Sequence, residues 1–261
     1  MKIFFSEHNV DYSTYTFDYA VYALMESIQD ASEIYSMGFL PWTGDLGVDY
    51  PLFYLARSLR INMERFGDTS ENRRIDRKLS HLHLDIRCTP IENFDKNDKE
   101  FRSLCNRYIQ DRFEEGAMTE ERLDHILESP VLTHIFTIFN EEGPKAYVLC
   151  CMQNEMIHYW FAFFDVEIFQ QFPLGKWIMW RVLRWAKDAD KQFVYLGTCY
   201  GTKSLYKVRD HKGVEYFSGF GWNSATKTLK QLCHNDGENH PADGFKRIPN
   251  KNEILKKLTS F

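Results

Sequence analysis

The sequence predicts a mixed α+β fold: a central, mostly antiparallel sheet flanked by helices, joined to an N-terminal α/β subdomain. Three observations carry that expectation. Residues 134–164 hold three strand-like runs in succession, "HIFTIF", "KAYVLCCM" and "MIHYWFAFF". The turns between them, "NEEGP" and "QNE", are short, which is the pattern of an antiparallel meander. The stretch "FPLGKWIMWRVLRWAKDAD" is apolar around most of a helix, with Arg181, Arg184 and Asp188 as its polar stripe; such a helix belongs in the interior. "FVYLG" then reads as a strand and "TKSLYKVRD" as a short helix.

The remaining elements follow in order. Residues Phe17 to Ile34 read as a helix, because Tyr19, Tyr22, Ala23, Met25 and Ile28 fall near helical spacing. Gly38 ends it, and "GFLPWTGDLG" is rich in turn formers. In "PLFYLARSLRINMERF", Leu59, Ile61 and Met63 alternate with Arg60, Asn62 and Glu64, the mark of a half-exposed strand. Ser70 reads as the cap of a helix whose Ile75 and Leu79 share one face. Arg87 to Lys99 is polar, holds Pro90 and reads as a linker, which sets three expected segments: 1–90, 91–235 and a polar tail 236–261. Phe101, Leu104, Cys105, Tyr108 and Ile109 mark an amphipathic helix that Gly116 closes. A second helix runs from its cap at Thr119 to Pro130. "GVEYFSGFGW" and "KTLKQL" read as a closing hairpin, and a last short helix is expected from Asn252.

Composition narrows the function classes. A 44% hydrophobic share over 261 residues supports a packed core, which excludes a disordered chain. The net charge of −5 excludes a protein that coats nucleic acid nonspecifically, so any nucleic-acid contact must come from a local patch. Cysteines at 88, 105, 150, 151, 199 and 233 form no C-x-x-C pair, which gives no support to a zinc or redox motif. Cys150 and Cys151, adjacent on a strand, are expected to face opposite ways as buried thiols. "MKIFFSEHNVDYSTY" lacks the apolar region of a signal peptide, and no run approaches the roughly 18 apolar residues of a membrane span. The expected location is cytoplasmic, with no membrane partner.

From Asp98 onward the element order is helix, helix, three antiparallel strands, a buried helix, a strand, a short helix and two strands. That order is similar to the acetyltransferase-like fold known as GNAT. "FFD…PLGKWIMWRVLRWAKD…FVYLGTCYGTKSLYKVR" further resembles the C-terminal half of the aminoacyl-tRNA–protein transferases, the eukaryotic arginyl- and bacterial leucyl-transferases. Phe164-Asp165, Leu174-Gly175, Tyr195-Leu196-Gly197 and Tyr206-Lys207 stand in the family's order. "YSMGFLPWTG" and "ARSLRINMERFGDTSENRRIDRKL" resemble its N-terminal elements, so the likeness spans about residues 34–232. Two departures stand out. Leu40-Pro41-Trp42-Thr43 replaces the family's paired arginines, and "PLFYLARS" lacks its cysteine cluster. Both bear on the acceptor, which the resemblance therefore leaves open.

The resemblance implies transfer of an aminoacyl group from aminoacyl-tRNA to the N-terminal α-amine of a protein, as in N-degron tagging. The ester is already activated, so no cofactor is expected. The alternatives are a coenzyme A-dependent N-acetyltransferase, with acetyl-CoA as donor, and a silent module that binds RNA or protein N-termini. A GNAT fold holds its donor's pyrophosphate at the start of the buried helix, usually with two small residues. Here "QQFPLGKW" offers Gly175 alone, with Trp177 where the second belongs.

The candidate donor-binding residues are Leu174, Gly175, Lys176, Gly197 and Lys203. Tyr206 is a candidate to protonate the leaving ribose hydroxyl, and otherwise a core tyrosine. Lys207 is a candidate phosphate ligand, and otherwise a solvated lysine. Asp165 would bind the incoming ammonium or cap the next helix. Arg57, Arg60, Arg73, Arg74, Arg77 and Lys78 form the densest basic segment, as tRNA phosphate contacts or as a solvated face paired with Glu71 and Asp76. Trp42 and Trp160 read as core, with stacking on a base as the other option. His158 reads as a core or surface histidine rather than a base.

Overall fold

The structure, a computed structural model, describes residues 1–12, 16–43, 51–114 and 116–236. The expected tail helix from Asn252 lies outside them. β1 (Lys2–Asp11) and β2 (Thr16–Leu24) form an antiparallel ribbon, so the helix expected from Phe17 is a strand as far as Leu24. Aromatic and β-branched side chains at Phe17, Tyr19, Tyr22 and Val21 suit a pleated surface better than a helix, and tertiary pairing settles the matter. Only the end of that stretch is helical. Ser27 caps a 3₁₀ turn, Ile28–Asp30, which leads into α1 (Ala31–Ser36). β3 (Phe39–Pro41) and β4 (Leu52–Leu55) complete a four-stranded sheet of order β1-β2-β4-β3.

β5 (Ser58–Asn62) buries Leu59 and Ile61, as its alternation requires. α2 (Ser70–Leu79) is capped by Thr69, one residue earlier than expected. Thr69 Oγ1 accepts from the Asn72 amide at 3.1 Å, and Asn72 Oδ1 accepts from the Thr69 amide at 2.9 Å. Each side chain thus satisfies an orphan donor of the first turn. β6 (Asp85–Pro90) occupies the start of the stretch that reads as a linker. Its rungs to the next strand run from Asp85↔Phe139 to Pro90↔His134, and Pro90 is tolerated because β6 is an edge. α3 (Lys99–Arg112) and α4 (Glu120–Glu128) follow, capped by Asp98 and Thr119.

The meander is β7 (His134–Asn140), β8 (Gly143–Met152) and β9 (Met156–Phe164). After it come α5 (Val166–Gln171), α6 (Leu174–Asp188), β10 (Phe193–Thr198), a 3₁₀ turn at Thr202–Leu205 and α7 (Tyr206–Arg209). β11 (Val214–Phe217) and β12 (Trp222–Asn223) pair, but "KTLKQL" belongs to a helix, α8 (Thr226–Asn235), not to the expected hairpin. Leu229, Leu232 and Cys233 pack on the same core, an i, i+3, i+4 spacing that strand alternation cannot reproduce.

These strands form an eight-stranded sheet of order β12-β11-β5-β10-β9-β8-β7-β6. β9 and β10 pair in parallel; the other neighbours are antiparallel. The sheet takes β5 and β6 from before residue 90 and the rest from after it. α2 and α6 cover one face, where Ile75, Leu79, Ile178 and Leu183 pack with Val148 and Ile157. α3 and α4 cover the other, over Tyr147, Leu149 and Phe163. Cys150 and Cys151 belong to different apolar clusters, as expected of adjacent strand residues, and all six thiols are free. No described helix is long and apolar enough to cross a membrane.

Candidate active site

The site forms where two strands part. β9 and β10 pair only at Phe193↔Met156, Val194↔Ile157 and Tyr195↔His158. Beyond that rung β9 stays with β8 through a bulge: Leu149 faces Phe161 and Cys150 faces Tyr159, which leaves Trp160 as the extra residue. β10 instead stays with β5, through an irregularity between Tyr195 and Thr198. Gly197 lies within it at a φ of +79°, a left-handed conformation that favours glycine. A gap opens between the diverging ends.

Lys207 fills part of that gap. Its Nζ donates to the Leu196 carbonyl at 2.8 Å and to the Thr198 carbonyl at 3.2 Å, both past the last β9 rung. Burial lowers its pKa. Two cavities meet at this lysine, of about 610 and 480 Å³, sharing Trp160, Phe161, Leu196 and Lys207. The larger reaches out past His158 to Trp42, Tyr54 and Arg122. The smaller reaches Tyr206, Tyr108, Arg112, Gly175 and Lys176. Tyr206 has its hydroxyl pKa pushed up to about 12, first by burial, and so remains a phenol at neutral pH. Among the described residues, neither cavity is lined by a carboxylate.

The structure thus gathers Tyr206, Lys207, Gly175, Lys176 and Gly197 around one gap, and leaves the other candidates elsewhere. Leu174 is fully buried in the core. Lys203 is exposed on its 3₁₀ turn and lines neither cavity. Asp165 is a cap: its Oδ1 accepts from the Glu167 and Ile168 amides at 2.9 and 3.0 Å, and it too lines neither cavity. Lys176, unfavourably placed in the first turn of α6, has an internal anion, Asp210, at 2.7 Å.

The basic segment divides. Arg57 is held by both carboxylate oxygens of Asp236, at 2.7 and 3.0 Å, with its guanidinium over the Tyr200 ring. Arg60 is paired with Glu215 at 2.7 Å between the Phe193 and Trp222 rings. Neither belongs to an exposed phosphate-binding face, because ion pairing and packing on aromatic rings hold both side chains largely buried. Arg73, Arg74, Arg77 and Lys78 are exposed on α2, with Arg74 bidentate to Glu71. Asp76, a partner expected for the arginines, accepts instead from the Trp177 indole at 2.9 Å.

Arg122, Tyr54, Arg112 and Tyr108 are site residues that no motif marks. Arg122 and Arg112 sit among polar helix positions that read as solvent-facing; only the packing of α3 and α4 brings them to the cavities.

The sequence profile of the family described as "Acetyltransferase (GNAT) domain" matches residues 71–208, about half of the chain. The chain belongs to this family, and its class is a GNAT-fold acyltransferase. No curated protein matches it. Among solved structures, a C-terminal domain (DUF2156) from Agrobacterium fabrum, named for lysylphosphatidylglycerol synthetase, is 10% identical with a TM-score of 0.40. That likeness covers 66% of this chain and 52% of the other, so the chain spans about half its length. L-PGS from Bacillus licheniformis is 11% identical with a TM-score of 0.43, over 78% and 70% of the two chains. A functionally unknown conserved protein from Staphylococcus epidermidis is 18% identical with a TM-score of 0.33, over 74% and 68%.

Proposed function

We propose that this acyltransferase moves an aminoacyl group from aminoacyl-tRNA to the α-amine of a protein or peptide. The observation that carries the reading is the start of α6. The close approach that Gly175 permits is used by the chain itself: a Cβ there would lie 3.0 Å from the Phe164 ring. Trp177, where a second small residue would let a pyrophosphate in, is buried and tied to Asp76. A coenzyme A cradle is therefore poorly formed, while the gap beside it keeps Tyr206 and Lys207. Exposed Arg73, Arg77 and Lys78 on α2 supply a basic face for a polyanion in an acidic chain.

The chemistry is aminolysis of an ester. The amine nitrogen attacks the acyl carbon, the C–O bond to the ribose breaks, and an amide forms. An α-amine has a pKa of about 8, so its neutral form is accessible. The protein supplies orientation and charge stabilisation. Lys207 would face the carbonyl oxygen as it gains charge, and Tyr206, still protonated, would hydrogen-bond the leaving oxygen and hold it in place.

The test is transfer of label from aminoacyl-tRNAs, across all amino acids, to a peptide pool, with acetyl-CoA as a parallel donor. The expected result is label passing from tRNA to peptide and falling at least about tenfold in Tyr206→Phe. Label passing from acetyl-CoA alone sinks the reading and leaves an N-acetyltransferase. Binding of tRNA without transfer leaves a silent module.

A further inference from the structure

Aminolysis also needs a group to take the proton that the amine gives up. The cationic side chains lining the cavities are Lys176, Lys207, Arg112 and Arg122, and no carboxylate lines them among the described residues. The one remaining nitrogen base is His158. It stands on the last rung that joins β9 to β10, opposite Tyr195, so it marks the apex of the gap. It is 2% exposed, yet it lines the larger cavity. Its Nδ1 lies 2.8 Å from the Tyr35 hydroxyl on α1. Its Nε2 has no protein partner among the described residues and is not among the sealed, unpaired polar atoms. That nitrogen is the one open to the cavity.

We infer that His158 is a catalytic residue of the transfer: Nδ1–H donates to the Tyr35 oxygen, and the Nε2 lone pair receives the proton of the attacking amine. This rests on the acyltransfer reading above. As the C–N bond forms, the surplus N–H proton passes to Nε2. As the acyl C–O bond breaks, the same proton goes from Nε2 to the departing ribose oxygen, and the ring is neutral again. Tyr35 is a positioning residue that fixes which ring nitrogen is free.

The surroundings suit a ring that stays neutral between those two events. Tyr35 from α1, Cys151 from β8, Tyr195 from β10 and Lys207 from α7 are the titratable groups around it. Burial first, and the Lys207 charge second, hold its pKa down to about 3. A ring of this kind does not strip a free ammonium, so the amine enters neutral. Once protonated by the tetrahedral adduct, it is a strong acid toward the leaving alkoxide.

Two measurements on the full chain test the inference. In single-turnover transfer, with whichever of aminoacyl-tRNA or acetyl-CoA the parent chain uses, His158→Phe and His158→Gln are expected to slow transfer by about 100-fold or more, with donor affinity unchanged. In ¹⁵N spectra of the histidine side chains, with the His158 signal assigned by its loss in His158→Gln, the ring is expected to stay neutral with its proton on Nδ1 from about pH 5 to 8. Glycinamide, a simple α-amine, should displace the Nε2 signal. Transfer by His158→Phe within about threefold of the parent overturns the inference, since a general base contributes more than that. So does an imidazolium at neutral pH, a proton on Nε2, or no displacement by the amine. A parent chain inactive with both donors defeats the transfer reading instead, and the spectra still decide the state of His158.

Discussion

Arg60 and Glu215 make the sharpest test of how the site is supported. They face each other across β5 and β11, and Arg60 Nε donates to Glu215 at 2.7 Å. The Arg60 guanidinium lies 3.8 Å from the Phe193 ring centroid and 4.1 Å from that of Trp222. The two side chains are only 11% and 9% exposed. Arg65 also donates to Glu215, and Asn62 Nδ2 lies 3.4 Å from it. Glu215→Gln keeps the shape and removes the charge, leaving a buried guanidinium between aromatic rings. Removing one member of a buried pair costs about 3–5 kcal/mol. Arg65, 47% exposed, lets solvent relax that corner, which favours the lower end of that range, about 3 kcal/mol. At about 2–4 °C per kcal/mol for a chain of this size, the expected loss is roughly 6–12 °C in Tm. The assay is thermal unfolding of Glu215→Gln, Arg60→Met and the double Arg60→Met/Glu215→Leu. The double should recover at least half of the single-mutant loss, because no buried charge is left orphaned and Arg65, the other partner of Glu215, reaches solvent. A Glu215→Gln midpoint within about 2 °C of the parent would refute the buried-pair argument. So would a double variant whose losses simply add.

Three further outcomes are expected. Lys207→Met keeps the stem and removes a buried charge together with its two carbonyl bonds, so stability should move by no more than about 2 kcal/mol; transfer should fall by about 100-fold or more, read as a split between denaturant midpoint and single-turnover rate. Arg77→Glu with Lys78→Glu should flatten the salt dependence of tRNA binding by about one to two log units per log unit of salt, with the thermal midpoint lowered by no more than about 4 °C for two reversed charges in the last turn of α2. Gly213→Ala places a Cβ 2.5 Å from the Asn62 carbonyl oxygen at a φ of +76°, so it should lose about 3 kcal/mol or more in chemical unfolding.

The meander, the buried α6 and the β10–α7 unit were legible because their patterns are long and one-sided. Leu59, Ile61 and Met63 announced β5, but not where it would go. Its place between β10 and β11 is a matter of long-range pairing, on which local periodicity is silent. Phe17–Leu24 was misread because Tyr19, Tyr22 and Ala23 satisfy a helical spacing while also suiting a ribbon. At the site, Tyr206 and Lys207 were visible as a pair behind a glycine-ended strand. At Asp165 the sequence leaves a fork open, since an aspartate ending a strand caps the next helix as readily as it binds an amine, and in the structure it is the cap. Arg122 was hidden because helix position alone cannot tell an arginine facing solvent from one facing a cavity. His158 looked like core and is core; what the sequence lacked was the divergence of β9 and β10 that opens one edge of its ring.

The insertion of β5 has a consequence for how the chain comes into being. Ile61 pairs with Val194 and Val214, so this strand leaves the ribosome well before either neighbour exists. At about 5–20 residues per second, the roughly 130 residues to β10 keep its apolar face waiting for several seconds at least. The matched segment 71–208 starts after β5. Expressed alone, it would present β10 as a bare edge and leave Arg57, whose carbonyl receives the Cys199 amide, out of the structure. The matched half of the molecule is thus finished by the first-made strand of its sheet, which waits for its neighbours.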